Sequence, residues 1–210
     1  KIMQKANIAT ADFFTTGIDE HKNEKELPIP FPLFVKPITG GDSRGIDINS
    51  IVYNYSNYKK KVLQIKKNQH SRCVVEQYLP GKEYSVGIFK DNITGLIEAM
   101  PIEIIVKKNL NGHYILDFDT KRNDEEKVVP VIDAKIFNQL SKLATKAFVA
   151  LKGKSFGRID FKMDHLGNPH FIEANLMPGI RKGYFYRSCV LNLNISYEEM
   201  ILKITANGLH

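Results

Sequence analysis

Two short segments near the C-terminal end concentrate side chains that could do chemistry: Gly157-Arg158-Ile159-Asp160-Phe161 and Phe171-Ile172-Glu173-Ala174-Asn175. Between them lies Asp164-His165-Leu166-Gly167-Asn168, a polar, glycine-containing cluster flanked by alternating apolar runs. That pattern predicts a β-hairpin. A regular hairpin centred between Leu166 and Gly167 sets Asp160 across from Glu173 and Arg158 across from Asn175. Residues two apart share a face of a strand. One face then carries Arg158, Asp160, Glu173 and Asn175, and Ile159, Phe161, Ile172 and Ala174 face the other way. Two carboxylates and an amide oxygen are hard donors suited to Mg²⁺, which keeps waters and shares its shell with substrate phosphates. An arginine beside them can stabilise charge developing on a transferring phosphoryl or acyl group. The competing reading is a surface hairpin laced by cross-strand salt bridges, since opposite charges pair readily across strands.

Two further segments carry weaker signals. Thr39-Gly40-Gly41-Asp42-Ser43-Arg44-Gly45 follows an apolar strand ending in Lys36-Pro37. Glycines let backbone N–H groups converge on an anion, as in phosphate-binding nests. The spacing lacks the terminal Gly-Lys-Ser/Thr of a P-loop, and a plain turn explains it equally well. Val74-Val75-Glu76-Gln77-Tyr78-Leu79-Pro80-Gly81-Lys82-Glu83 is an apolar strand running into an acidic turn. A carboxylate there can accept from an adenine amino group, and a second can take ribose hydroxyls; two solvated acids flanking a turn are the plainer reading.

The elements that must position these groups follow from periodicity. Residues 1–7 read as the end of a helix, and 11–16 and 33–37 as strands, the second stopped by its proline. Residues 57–67 read as a helix with Tyr58, Val62 and Ile65 on one stripe and the lysines on the other. Strands follow at 72–79, 82–89 and 96–106, the last two forming a hairpin around Asp91-Asn92. Residues 109–129 read as an irregular, mobile loop. Asp133 is placed to cap a helix to Leu151 with Ile136, Leu140, Leu143, Ala147 and Leu151 inward. Ser196 with Glu199 forms a capping box for a last helix. The compositional shift near Leu79 suggests a hinge between two lobes, 1–79 and 80–210.

The chain has 210 residues, 43% hydrophobic and 25% charged, ordinary for a soluble globular protein with a real core. No apolar run is long enough to span a bilayer. Cys73 and Cys189 form no metal or redox spacing, which favours a reducing cytoplasm. The net charge of +7 includes Lys59-Lys60-Lys61 and Lys66-Lys67, read as a solvated helix face. An anionic ligand such as a nucleotide would use part of the excess. A nucleic-acid-binding role lacks any interleaved aromatic–basic motif.

Taken in order, these segments resemble the ATP-grasp ligases, and within them the D-alanine–D-alanine ligase group. The carriers are Phe34-Val35-Lys36-Pro37, the loop to Gly45, Glu76 through Glu83, Gly157 through Phe161, and Glu173-Ala174-Asn175-Leu176-Met177-Pro178-Gly179. The resemblance implies an α+β ATP-grasp fold, with two lobes whose antiparallel sheets grip ATP. It implies a carboxylate–amine ligase: ATP phosphorylates a carboxylate, and an amine attacks the acyl phosphate to give an amide, ADP and phosphate. By position, Lys36 contacts the phosphates, Glu76 the adenine amino group and Glu83 the ribose, with Gln77 and Leu79 offering backbone groups. Asp160, Glu173 and Asn175 hold two Mg²⁺ ions, or Mn²⁺ in their place; Arg158 steadies the oxyanion, and Lys121 closes over the γ-phosphate. Small amino acids or peptides are the implied substrates, in the cytoplasm and in peptidoglycan biosynthesis, with no nucleic-acid or membrane partner. A homodimer is an open alternative for the oligomeric state. Two departures shape the expectation. The family's separate N-terminal domain of about one hundred residues, a typical domain size, would end near Lys1, so an incomplete ligase is expected in this stretch. Asp42, Arg122 and Ile180-Arg181-Lys182-Gly183-Tyr184 replace residues that place the amino-acid substrates, so another amino acid or peptide can be the substrate. The alternative is a catalytically impaired nucleotide-binding module with a binding or regulatory role.

Overall fold

The computed structural model describes residues 1–39, 43–106 and 126–208. They sort into two units. The smaller holds Ala11–Pro80 with Val106 and Glu126; the larger holds Lys1–Thr10, Gly81–Ile105 and the residues from Lys127 on. Residues 1–10, expected from the sequence in the first lobe, pack in the larger unit. There Met3 and Ile8 enter the core, and Thr10 bridges in parallel to Phe171.

In the smaller unit, β1 (Phe13–Thr16), β2 (Leu33–Pro37), β3 (Ile51–Val52) and β4 (Cys73–Gln77) form an antiparallel sheet in the order β1-β4-β2-β3. Strand alternation turns Leu33, Val35, Cys73 and Val75 to one buried face. Helix α2 (Tyr55–Gln69) covers that face with Tyr58, Val62 and Ile65. Asn54 caps it, its side chain accepting from the Asn57 N–H, and His70 ends it at φ 51°. Lys61 departs from the expected solvated face. It stands three residues after Tyr58 and four before Ile65, so it lies on the buried stripe, and its side chain is 1% exposed. Its Nζ lies 2.8 Å from Asp47 Oδ1, an ion pair without the alignment of a hydrogen bond.

In the larger unit, β5 (Glu83–Lys90), β6 (Ile97–Ile105), β7 (Lys127–Pro130), β8 (Phe156–Met163) and β9 (Pro169–Asn175) form an antiparallel sheet in the order β7-β6-β5-β8-β9. Tyr84, Val86, Ile88, Ile159 and Phe161 share one face. They form a core with Leu140, Ala144, Ala147 and Phe148 of α3 (Ala134–Ala150), beside α1 (Ile2–Lys5). Asp133 caps α3 as the sequence predicts, accepting from the Lys135 and Ile136 N–H groups. On the other face, Phe89 and Met100 pack with Phe185 and Cys189 of α4 (Tyr184–Leu193) and Met200 of α5 (Tyr197–Gly208). The Ser196–Glu199 capping box is formed in both directions, at 2.7 and 3.1 Å.

Two elements differ from expectation. Strand β7 occupies the end of the stretch read as an irregular loop, and it pairs with β6. Helix α4 was not legible, because Tyr-Phe-Tyr and a β-branched valine are mediocre helix formers; burial of Phe185, Ser188 and Cys189 holds it instead.

Candidate active site

The β8–β9 register sets Asp160 opposite Glu173 and Arg158 opposite Asn175, the pairing expected from the sequence. It arises differently. From Phe161 to the turn the strands pair one residue out of that register, Phe161 facing Phe171 and Met163 facing Pro169. An irregularity between Asp160 and Phe161 takes Ile172 out of the ladder, and a β-bulge of this kind re-aims the side chains beyond it. One face assignment is thereby corrected. Phe171, not Ile172, packs on the core, its ring 6.3 Å from that of Phe161.

Arg158 joins the two carboxylates. Its Nε donates to Asp160 Oδ1 and Oδ2 at 3.0 and 3.2 Å, and its Nη2 donates to Asp160 Oδ2 at 2.9 Å. Nη2 also reaches Glu173 Oε1 at 3.4 Å. The guanidinium side chain is 15% exposed, Asp160 11% and Glu173 58%. Burial works against the Arg158 charge, but the Asp160 carboxylate at hydrogen-bond distance outweighs it, with Glu173 adding to the effect, so the guanidinium pKa is raised. Ser85, buried on β5 directly across from Asp160, donates to Asp160 Oδ1 at 2.6 Å. Asn175 Oδ1 accepts from the Met177 N–H at 3.1 Å. Glu83, on the same face, pairs with Lys162 at 3.1 Å. Sequence reasoning missed Ser85 and Lys162. The alternation Glu83-Tyr84-Ser85-Val86 carried a signal for Ser85, but only the β5–β8 pairing brings it to Asp160.

The donor set suits a hard divalent cation. Each carboxylate has about four lone-pair positions and the amide oxygen two, so the contacts made here leave acceptor capacity on Asp160, Glu173 and Asn175. Among the described residues no three His, Cys, Asp or Glu side chains form a metal-holding group; the face offers two carboxylates and one amide.

In the smaller unit, Lys36 and Glu76 lie on the outer face of the β2–β4 ladder, two pairs apart in register. Lys36 Nζ is 2.8 Å from Glu76 Oε2. The Gln77 N–H donates to the Asp12 carbonyl at 2.8 Å, so that N–H is engaged within the sheet rather than offered outward. Leu79 is buried. Lys121, Arg122 and Gly40-Gly41-Asp42 lie outside the described residues. No helix among the described residues is long and apolar enough to cross a membrane.

A family model described as D-ala D-ala ligase C-terminus matches residues 2–206. The D-alanine–D-alanine ligase B of Clostridium perfringens is 25% identical over 211 residues, covering 100% of this chain and 66% of its own length. The D-alanine–D-alanine ligase of Nitrosococcus oceani is 27% identical over 213 residues, covering 100% and 63%. Among solved structures, the Bacillus anthracis D-alanine–D-alanine ligase complexed with ATP superimposes with a TM-score of 0.76 at 23% identity, covering 99% of this chain and 63% of that one. The VanG D-Ala:D-Ser ligase of Enterococcus faecalis gives 0.73 at 20% identity, over 98% and 59%. The chain thus spans roughly two thirds of the length of these curated relatives, at 66% and 63%. With an α+β ATP-grasp fold and a family match over nearly its whole length, this chain belongs to the D-ala D-ala ligase C-terminus family.

Proposed function

We propose that this chain supplies the nucleotide- and metal-binding machinery of an ATP-dependent carboxylate–amine ligase. Its substrate is D-alanine or another small amino acid or peptide, and it acts in the cytoplasm. The observation that carries the reading is the pairing of Asp160 with Glu173 across β8–β9, bridged by Arg158. Asp160, Glu173 and Asn175 would hold Mg²⁺, two ions in all; the metal supplies neutralisation of phosphate charge and orientation of the transferring group. Asp160 is held in place by Ser85 and Arg158, and an ion would take over part of the Arg158 contact. Arg158, permanently charged and planar, would stabilise the oxyanion as the amine attacks the acyl phosphate. Lys36 would meet the nucleotide phosphates, Glu76 the adenine amino group, Gln77 the adenine edge through its carbonyl and Leu79 through its backbone, and Glu83 the ribose. Lys121 would close over the γ-phosphate.

The test is calorimetry with ATP in the presence and absence of Mg²⁺, for the native protein and Glu173→Gln. The reading expects Mg²⁺-dependent ATP binding that the substitution weakens at least tenfold. A folded protein that shows no Mg²⁺-dependent nucleotide binding overturns it.

A further inference from the structure

Helix α4 begins over Arg158. The Tyr184 ring lies against the guanidinium, 5.6 Å from its centroid to Arg158 Cζ, within cation–π range. The sheet dictates this placement. Gly87 on β5 stands directly across from Arg158 on β8. Because Gly87 has no side chain, α4 seats Ser188 on it; a Cβ at Gly87 would come within 2.8 Å of Ser188 Cβ. Tyr184 is four residues before Ser188, on the same helix face. The helix that docks on Gly87 therefore carries its first ring to the neighbouring strand, where Arg158 sits. Asp160 holds the guanidinium at an edge, and the Arg158 Cζ stands over the Tyr184 ring. Its contacts to Asp160 and Glu173 run through Nε and Nη2.

We propose that Tyr184 is a positioning residue for Arg158, its ring fixing the guanidinium plane so that the cation stays over the carboxylate face while its contacts to Asp160 and Glu173 change. The importance of that position rests on the ligase reading above; the positioning itself does not. A divalent ion would compete with Arg158 for Asp160 oxygens. An arginine held only by those oxygens would be released into solvent as they are taken, whereas one also held by a ring keeps its place.

Arginine Nε–H resonances test this directly. In the native protein the Arg158 δ-methylene protons should be shifted upfield by the Tyr184 ring, and Nε–H should exchange slowly with water. Tyr184→Phe keeps the ring and should leave exchange within about twofold, whereas Tyr184→Leu should speed it about 3- to 30-fold, the range of a cation–π contact from exposed to desolvated. The backbone amide spectrum reports whether each variant is folded. Native-like exchange in a folded Tyr184→Leu, or the absence of an upfield shift in the native protein, overturns the proposal; the second reading needs no variant. A separate arm adds Mg²⁺-ATP to the native protein and Tyr184→Phe and follows the Arg158 Nε–H. A response in both supports the metal face. No response in either sinks the nucleotide reading and leaves the Tyr184 result standing.

Discussion

Replacing Asp47 by asparagine should destabilise the smaller unit far more than replacing Lys61 by methionine. Lys61 is 1% exposed, and among the described residues its ammonium has one counter-charge, Asp47 Oδ1 at 2.8 Å. Asparagine keeps the oxygen that accepts from the Asn49 N–H at 2.8 Å, so the turn at 47–50 survives while the charge disappears. The buried ammonium then keeps a neutral oxygen beside it but loses its counter-charge. Breaking one side of a fully buried pair costs about 3–5 kcal/mol. Asp47 is 37% exposed, so water already screens the attraction and the expected loss falls to about 2–4 kcal/mol. Lys61→Met removes the buried charge and keeps an unbranched chain of similar length. Asp47 then retains its bonds from Asn49 and Gln64 and its water, so the change should stay within about 1 kcal/mol of native stability. The double variant should recover most of the Asp47→Asn loss. The assay is urea unfolding followed through backbone amide signals of Val35 and Val75, which report on the smaller unit alone. At a urea slope of about 2 kcal/mol/M, Asp47→Asn should lower the midpoint by about 1–2 M. Equal losses for the two single variants, or no recovery in the double variant, would refute the claim that an uncompensated charge sets the cost.

Three other outcomes are expected. The Asp164 carboxylate accepts from the Asn168 N–H and side chain, from Leu166 N–H and from His170, and these bonds, the Asn168 backbone N–H foremost, hold its pKa well below the usual carboxylate range. A carboxylate with a depressed folded pKa stabilises the β8–β9 turn fully above the unfolded value of about 4 and loses that effect as pH falls through the folded value. The protection of the Leu166 and Asn168 amides, measured relative to their intrinsic exchange rates, should therefore fall as pH drops below 4, and Asp164→Asn should abolish that dependence. Gly153→Ala should destabilise the larger unit by about 1–3 kcal/mol through overpacking, because a Cβ there would meet Phe148 Cε2 at 2.3 Å; thermal melts measure it, and an unchanged midpoint counts against that packing. Burial pushes the Cys73 thiol up to about 11 and the Cys189 thiol to about 12, so neither should react with a disulfide reagent at pH 8 until urea unfolds the chain.

Local order along the chain already specified several things. Asp133 and the Ser196–Glu199 box mark two helix starts because caps are satisfied within three residues. The alternation around Arg158-Ile159-Asp160 and Glu173-Ala174-Asn175 gathers the polar residues on one face, because a strand's side-chain period is two whatever surrounds it. The turn between them limited the register to a narrow choice. Other features had no local cause. The Ile172 bulge, and with it the turn of Phe171 toward Phe161, follows from packing against α3's core. Ser85 meets Asp160, and Glu83 meets Lys162, only because β5 lies beside β8 across 75 and 79 residues of sequence. Lys61 reads as one more lysine in a basic run until α2 is laid on its sheet and Asp47 arrives from 14 positions away, 61 less 47. Helix α4 forms where its own residues favour it little, and its docking on Gly87 brings Tyr184 to Arg158. Short-range periodicity and capping act within a few residues and can be read from the chain; partners drawn from distant strands depend on which surfaces bury one another, and that is settled only when the sheets and helices pack.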